Sequence, residues 1–307
     1  LIIWWILFGL FILAMITLDL GLINRQAHVI RMKEAFLWTS FWISLAVIFG
    51  IGVYLVEGTT KSLEFFTAYL IEYSLSIDNI FVFLLIFKYF SLPRELEHKA
   101  LFWGIILALI TRLLFILTGV TLIKTFAWIT YIFGAFLVFT GVKMAFSKDI
   151  EVHPDRNVAI RLLRLFSPVT KEFHGARFFV RQNGGIMATP MLAIVLVLES
   201  TDILFAVDSI PAVLAVSKDP FIVYTSNVFA ILGLRSLFFA LAGLMRLFHH
   251  LHYGLAAILS FVGIKMLLEE IYHFPITISL LIISLLLALS ILSSLLWPEK
   301  KSPPDGP

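Results

Sequence analysis

The sequence contains no cysteine, and that absence removes disulfides, thiolate metal sites and cysteine nucleophiles together. Charge is scarce as well: Asp, Glu, Lys and Arg supply only 14% of the 307 residues. A soluble domain balances its apolar faces with polar ones and is about 25% charged, so a soluble fold is excluded. Histidine is missing from the middle of every apolar run. All eight (His28, His98, His153, His174, His249, His250, His252 and His273) lie between runs or at their ends. Metal sites that need imidazole or thiolate at depth, zinc and copper above all, therefore have no ligands here.

What the chain does have is hydrocarbon: 60% of its residues are hydrophobic and its mean hydropathy is +1.00. Apolar stretches of about 20 residues, each long enough to cross a bilayer, recur along it. Nine are readable, at 1–23, 36–56, 63–87, 100–123, 126–146, 187–216, 221–246, 252–272 and 275–297. Lipid cannot satisfy backbone groups, so such runs are helices. The expected fold class is all-α, a polytopic membrane protein. The first run has no basic flank and no cleavage site and reads as a helix rather than a signal peptide.

The net charge of +3 is unevenly spread. With loops counted alternately, sixteen Lys and Arg fall on one side, among them Arg25, Arg31, Lys88, Arg94 and seven in the 147–186 linker. Three (Lys61, Lys124 and Lys218) fall on the other. The positive-inside rule then places the N-terminus outside and the C-terminus in the cytoplasm.

The chain also repeats itself. "SIDNI" (76–80) aligns with "AVDSI" (206–210), matching Asp78 to Asp208 and Asn79 to Ser209. Six residues upstream stand Glu72 and Asp202; downstream, Arg112 matches Arg235, and "TGVKM" (140–144) matches "VGIKM" (262–266). Each copy holds three helices, an odd number, so a linker held on one side inverts the second copy relative to the first. Inverted repeats are an architecture of secondary transporters. The expected divisions are 1–62, a first repeat at 63–146, the linker 147–186, a second repeat at 187–272 and a last helix with its tail at 273–307. Within the linker, "VAIRLLRLF" (158–166), with Arg161 and Arg164, predicts an amphipathic helix on the cytoplasmic surface.

Five acids, Glu72, Asp78, Glu199, Asp202 and Asp208, lie inside apolar runs. Isolated and ionised, they would cost on the order of 12–17 kcal/mol together. Protonation, pairing with Arg112 and Arg235, or a bound cation can offset that. Two arginines leave three acids unexplained, while Lys143 and Lys265 sit where they can snorkel. Glu199 and Asp202 share a helical face, whereas Asp208 is about 180° from Glu199 on a straight helix. Pro211 cannot donate to the carbonyl of Val207, which predicts a break near Val207–Ser209. The donors at depth, carboxylates with Asn79, Ser209 and Asn227, suit hard cations such as Mn²⁺, Ca²⁺ or Mg²⁺, or protons. Asp19 is placed to pair with Arg25, and "HHLH" (249–252) reads as an interfacial loop.

The stretch "ESTDILFAVDSIPAVLAVSKDPFIVYTSNVFAILGLRSLFFAL" (199–241) resembles the signature of the TerC/Alx family. "EYSLSIDNIFVF" (72–83), "TGVKM" and "TLDLGLINR" (17–25) are similar to it too. The resemblance implies a bacterial inner-membrane exporter of Mn²⁺ related to the LysE-type transporters. It also implies that Glu72, Asp78, Glu199, Asp202 and Asp208 serve transport. With the residue reading, the expected cation site is Glu72, Asp78, Asn79, Glu199, Asp202, Asp208 and Ser209, supported by Arg112, Arg235 and Asp19. Manganese would be cargo exchanged for protons, with no resident cofactor, no enzymatic activity and no nucleic-acid partner. The lipid bilayer is the implied surrounding, and the sequence leaves homo-oligomers open. A membrane scaffold for assembling other proteins is the rival, to which plastid relatives linked to thylakoid biogenesis lend weight. An intramembrane hydrolase lacks a histidine at depth.

Overall fold

Every backbone N–H that enters lipid must find its acceptor within its own segment, and the chain meets that demand with helices almost throughout. The structure, a computed structural model, describes residues 2–18, 32–126, 128–146, 157–170, 172–182, 185–242, 251–269, 271–272 and 274–296. The helices are α1 (Ile2–Leu18), α2 (Met32–Glu57), α3 (Thr59–Tyr89), α4 (Arg94–Thr125), α5 (Ile129–Phe146), α6 (Val158–Phe166), α7 (Pro190–Leu214), α8 (Pro220–Ala242), α9 (Leu251–Leu267) and α10 (Ile276–Leu296). By length and composition α2, α3, α4, α5, α7, α8 and α10 can each cross a membrane; α1 and α9 are apolar but shorter.

Local sequence sets the helix ends. Gly58 alone separates α2 from α3, at φ 88°, a left-handed conformation that glycine adopts without steric cost. Prolines open α7 and α8, where a missing N–H costs nothing. Asp219 caps α8 by accepting from the backbone N–H of Phe221 at 2.9 Å. Glu95 and Glu97 lie in the first turn of α4 and Lys124 in its last, which complements the helix dipole.

Polarity is arranged inside out. Leu55, Leu114, Phe139 and Leu204 are exposed, while Glu72, Arg112, Asp202 and Asn227 are buried. In the interior α3 packs against α8, α4 against α7, and α5 against α9. Under the sequence correspondence of the two copies, the first two pairings exchange with each other and the third maps onto itself.

Two features differ from the sequence expectation. The helix through Pro211 is not broken: α7 is continuous from Pro190 to Leu214. Pro211 falls in the last turn, so the loss is one hydrogen bond, and Ile210 to Leu214 are all buried by neighbouring helices. Second, the linker holds an antiparallel hairpin, β1 (Phe179–Gln182) with β2 (Gly185–Ala188), in register Gln182↔Gly185. Residues 187–189, expected as membrane helix, belong to this hairpin and the cap of α7.

The linker helix α6 docks on α7 rather than standing free. Asn157 accepts from the N–H of Ala159 and so caps α6, and its amide donates to Ser200 of α7 at 2.8 Å. Ile160 and Leu163 are buried with residues of α7. The side chain of Arg164 lies outside those described.

The tightest helix contact is α5 with α9. A Cβ on Gly141 would lie 2.7 Å from the carbonyl of Ala256 and 2.8 Å from the N of Ser260. A Cβ on Gly263 would lie 2.7 Å from the carbonyl of Gly134 and 2.8 Å from the N of Val138. As α5 advances from Gly134 to Gly141, its partner on α9 retreats from Gly263 to Ala256, so the helices are antiparallel. Small residues let backbones meet at this distance. Gly141→Leu and Gly263→Leu should therefore each destabilise the protein by about 1–3 kcal/mol, the range for overpacking. The double variant should cost less than the sum. Gly52, with nothing within 4 Å of an added Cβ, is the control. Thermal unfolding in detergent reads the effect, and a Gly141→Leu variant as stable as Gly52→Leu would refute the contact.

Candidate functional site

The centre of the molecule is a guanidinium. Arg112, in the middle of α4, is 1% exposed, and it reaches acids from two different helices. Its Nε and Nη2 donate to the two carboxylate oxygens of Asp202 on α7, at 3.1 and 3.0 Å. This is a bidentate pairing, the strongest geometry open to an arginine and a carboxylate. Its Nη1 donates to Oε1 of Glu72 on α3 and to the hydroxyl of Ser209 at 3.3 Å. Glu72 is fully buried and Asp202 nearly so. With all three groups ionised, one positive charge faces two negative ones, and the cluster keeps an excess of one negative charge.

Helical geometry explains the membership. Ser209 is seven residues beyond Asp202, two turns along the same face. Asn79 stands in the same relation to Glu72 and is buried. Asp208 is six residues beyond Asp202 and points to another side, where Thr140 of α5 donates to it at 3.2 Å. Glu199, one turn before Asp202, lines a cavity of about 20 Å³ with Asp202, Gly104, Leu234 and Arg235, space for about one water. Both carboxylate oxygens of Glu199 are buried beside Thr111, whose hydroxyl donates to the carbonyls of Leu107 and Ala108.

The structure thus gathers Glu72, Asp202 and Ser209 around Arg112, puts Glu199 and Arg235 beside them, and sets Asp208 apart. Among the described residues no group of three His, Cys, Asp or Glu stands close enough to hold a metal ion, and the two central acids share a guanidinium. Asp78 belongs to α3, but its side chain lies outside those described; Asp19, Arg25, His249 and His250 lie outside altogether. His252 contacts the carbonyl of Met144, a structural role. Thr140 and Ser200 were not signalled by the sequence, since nothing in an apolar helix distinguishes a hydroxyl that meets an acid from one that bonds its own backbone.

Where α3 begins, polar groups form a second network. Glu64 of α3 accepts from Ser217 at 2.5 Å and from Lys61 at 2.8 Å. Lys61 also lies 3.7 Å from Asp219. These groups are partly solvated, so the pairs contribute little to stability.

Comparison with known proteins places this arrangement. Residues 57–302 match the family described as integral membrane protein TerC family. A membrane protein of Myxococcus xanthus, described as uncharacterized, is 48% identical over 292 residues, covering 95% of this chain and 92% of its own. The Alx protein of Escherichia coli strain K12, provisionally described as a membrane-bound redox modulator, is 46% identical over 282 residues, 89% of this chain and 88% of its own. A membrane protein of Rickettsia bellii is 38% identical over 292 residues, 95% of this chain and 97% of its own. No solved structure matches. A family match that spans both internal copies, with relatives aligned over nearly their whole length, settles the classification: the chain belongs to the TerC family of integral membrane proteins.

Proposed function

We propose that this protein is a secondary transporter that exports Mn²⁺ from the cytoplasm of a bacterium across its inner membrane, in exchange for protons. One observation carries the reading. Glu72 and Asp202 hold equivalent positions in the two sequence copies and converge on a single buried cation, Arg112. A purely structural ion pair needs one acid for one base. Two acids on one arginine, with a third buried acid, Glu199, one turn away, make a site with negative charge to spare.

In this reading Arg112 is the resident counter-charge. It neutralises the acid pair between transport events and withdraws when a divalent ion arrives. The ion then takes carboxylate oxygens from both copies, with the hydroxyl of Ser209 and the amide oxygen of Asn79 as neutral ligands, and Asp78, Glu199 and Asp208 along its route. An oxygen-only set suits a hard cation. Neither termini nor orientation enter the chemistry, but the basic bias of the linker side favours a cytoplasmic C-terminus. The relatives' description as redox modulators does not point to thiol chemistry here, since the chain has no cysteine.

The test is flux into sealed vesicles containing purified protein, with Mn²⁺, Mg²⁺ and Ca²⁺ offered separately and rates normalised to folded protein. Glu72→Gln and Asp202→Asn should each lower Mn²⁺ flux at least about a hundredfold. A unit charge 4 Å from another at an effective dielectric of about 20 is worth about 4 kcal/mol. The double variant should add little, because the two acids act as one unit. Asp78→Asn and Asp208→Asn should fall in the same direction. Normal flux in both Glu72→Gln and Asp202→Asn would end the transport-site reading and favour the scaffold rival.

A further inference from the structure

The acid at position 72 does not stand alone on its helix face. Tyr69, Glu72, Tyr73 and Ser76 are spaced i, i+3, i+4 and i+7 on α3, a single stripe about 100° wide. Each carries a buried polar atom with no hydrogen-bond partner: the two phenol hydroxyls, Oε2 of Glu72 and the hydroxyl of Ser76. The rest of α3 behaves differently. Thr67 and Ser74 are just as buried, yet each donates to the carbonyl four residues back, of Leu63 at 2.7 Å and of Leu70 at 2.5 Å. Thr39, Thr121 and Ser260 on other helices do the same. An intrahelical bond is therefore the ordinary resting place of a hydroxyl in this protein, and Ser76 forgoes it.

Buried polar groups are satisfied in folded proteins with few exceptions, and each exception calls for a cause. Four orphans on one face, centred on the acid that meets Arg112, do not arise from packing needs. Phenylalanine and alanine would fill the same volumes without stranding an oxygen. Tyr69 and Tyr73 also lie with ring centroids 5.5 Å apart, so their rings are neighbours on this face. In lipid-embedded helices, polar faces of this kind turn to the bundle interior or line a water-filled cavity. In the conformation described the atoms are shielded from water.

We propose that this face of α3 is the wall of the ion path, shut in the conformation described and hydrated in the one that exchanges Arg112 for cargo. The occupant is water and the hydrated cation. The hydroxyls of Tyr69, Tyr73 and Ser76 replace part of the ion's hydration shell on either side of Glu72. This assignment deepens the transport reading and rests on it for the identity of the cargo, but the wetting of the face can be tested without any metal.

Two measurements test it. The chain lacks cysteine, so single cysteines at 69, 73 and 76 can be probed with a small, charged methanethiosulfonate reagent in membranes. Ile71 and Leu75, buried apolar residues of the same helix, supply the comparison. The stripe positions should react at least about tenfold faster, as expected of a wetted face against a packed one. Equal rates at all five positions would overturn the proposal. Tyr69→Phe, Tyr73→Phe and Ser76→Ala remove one oxygen each. Thermal stability should hold or rise, because a stranded polar group is deleted, while Mn²⁺ flux falls several-fold. Unchanged flux in the triple variant also overturns it. If wild-type vesicles move no Mn²⁺ yet the stripe still labels faster, the cargo was misidentified and the wetted face stands.

Discussion

Everything at the centre of this protein is arranged around the cost of keeping Arg112 dry. A guanidinium cannot shed its proton at any physiological pH, so once buried it must be surrounded by acceptors. Asp202 supplies two, Glu72 one and Ser209 another. Those partners come from α3 and α7, which fixes how α4 can lie between them. Removing a member of such a cluster leaves an uncompensated charge, whereas replacing the whole by apolar residues is often neutral or stabilising. The presence of two acids and one base at depth is thus poorly explained by stability, which supports the proposal of a site whose positive partner can be exchanged.

The lipid environment explains the rest of the interior. Hydrophobic burial gives helices little reason to associate when lipid tails are as apolar as leucine side chains, so close packing and polar contacts must serve. The aromatic cluster of Phe8, Phe49, Phe65 and Phe229 joins α1, α2, α3 and α8, with centroid separations between 4.9 and 6.0 Å. Gly141 and Gly263 do for α5 and α9 what the aromatics do there, by removing side chains rather than interlocking them.

How much of this the amino-acid order reveals depends on the range of each interaction. The helices were legible because membrane hydropathy is a local property, and the acids stood out because each costs free energy wherever it points. The shared face of Glu199 and Asp202, and the divergence of Asp208, followed from helical period alone. Which cation serves which acid was not legible, since 90 residues separate Arg112 from Asp202. Pro211 does not break α7: the rule against proline applies to helix interiors, and three residues from the end the surrounding helices decide. The hairpin region carries a sequence signal, Asn-Gly at 183–184, the dipeptide favoured in two-residue hairpin connections. The stripe on α3 was hidden because tyrosine is ordinary in apolar helices, and only atomic surroundings reveal that its hydroxyls lack partners.

The crossing of α5 and α9 has a kinematic consequence. With carbonyls lying where side chains would normally stand between helices, neither helix can slide along the other without driving backbone into backbone. Rotation about the line joining the two contact points disturbs far fewer atoms. The two helices carry the matched segments TGVKM and VGIKM, so the contact that resists sliding joins the parts of the chain that the sequence pairs.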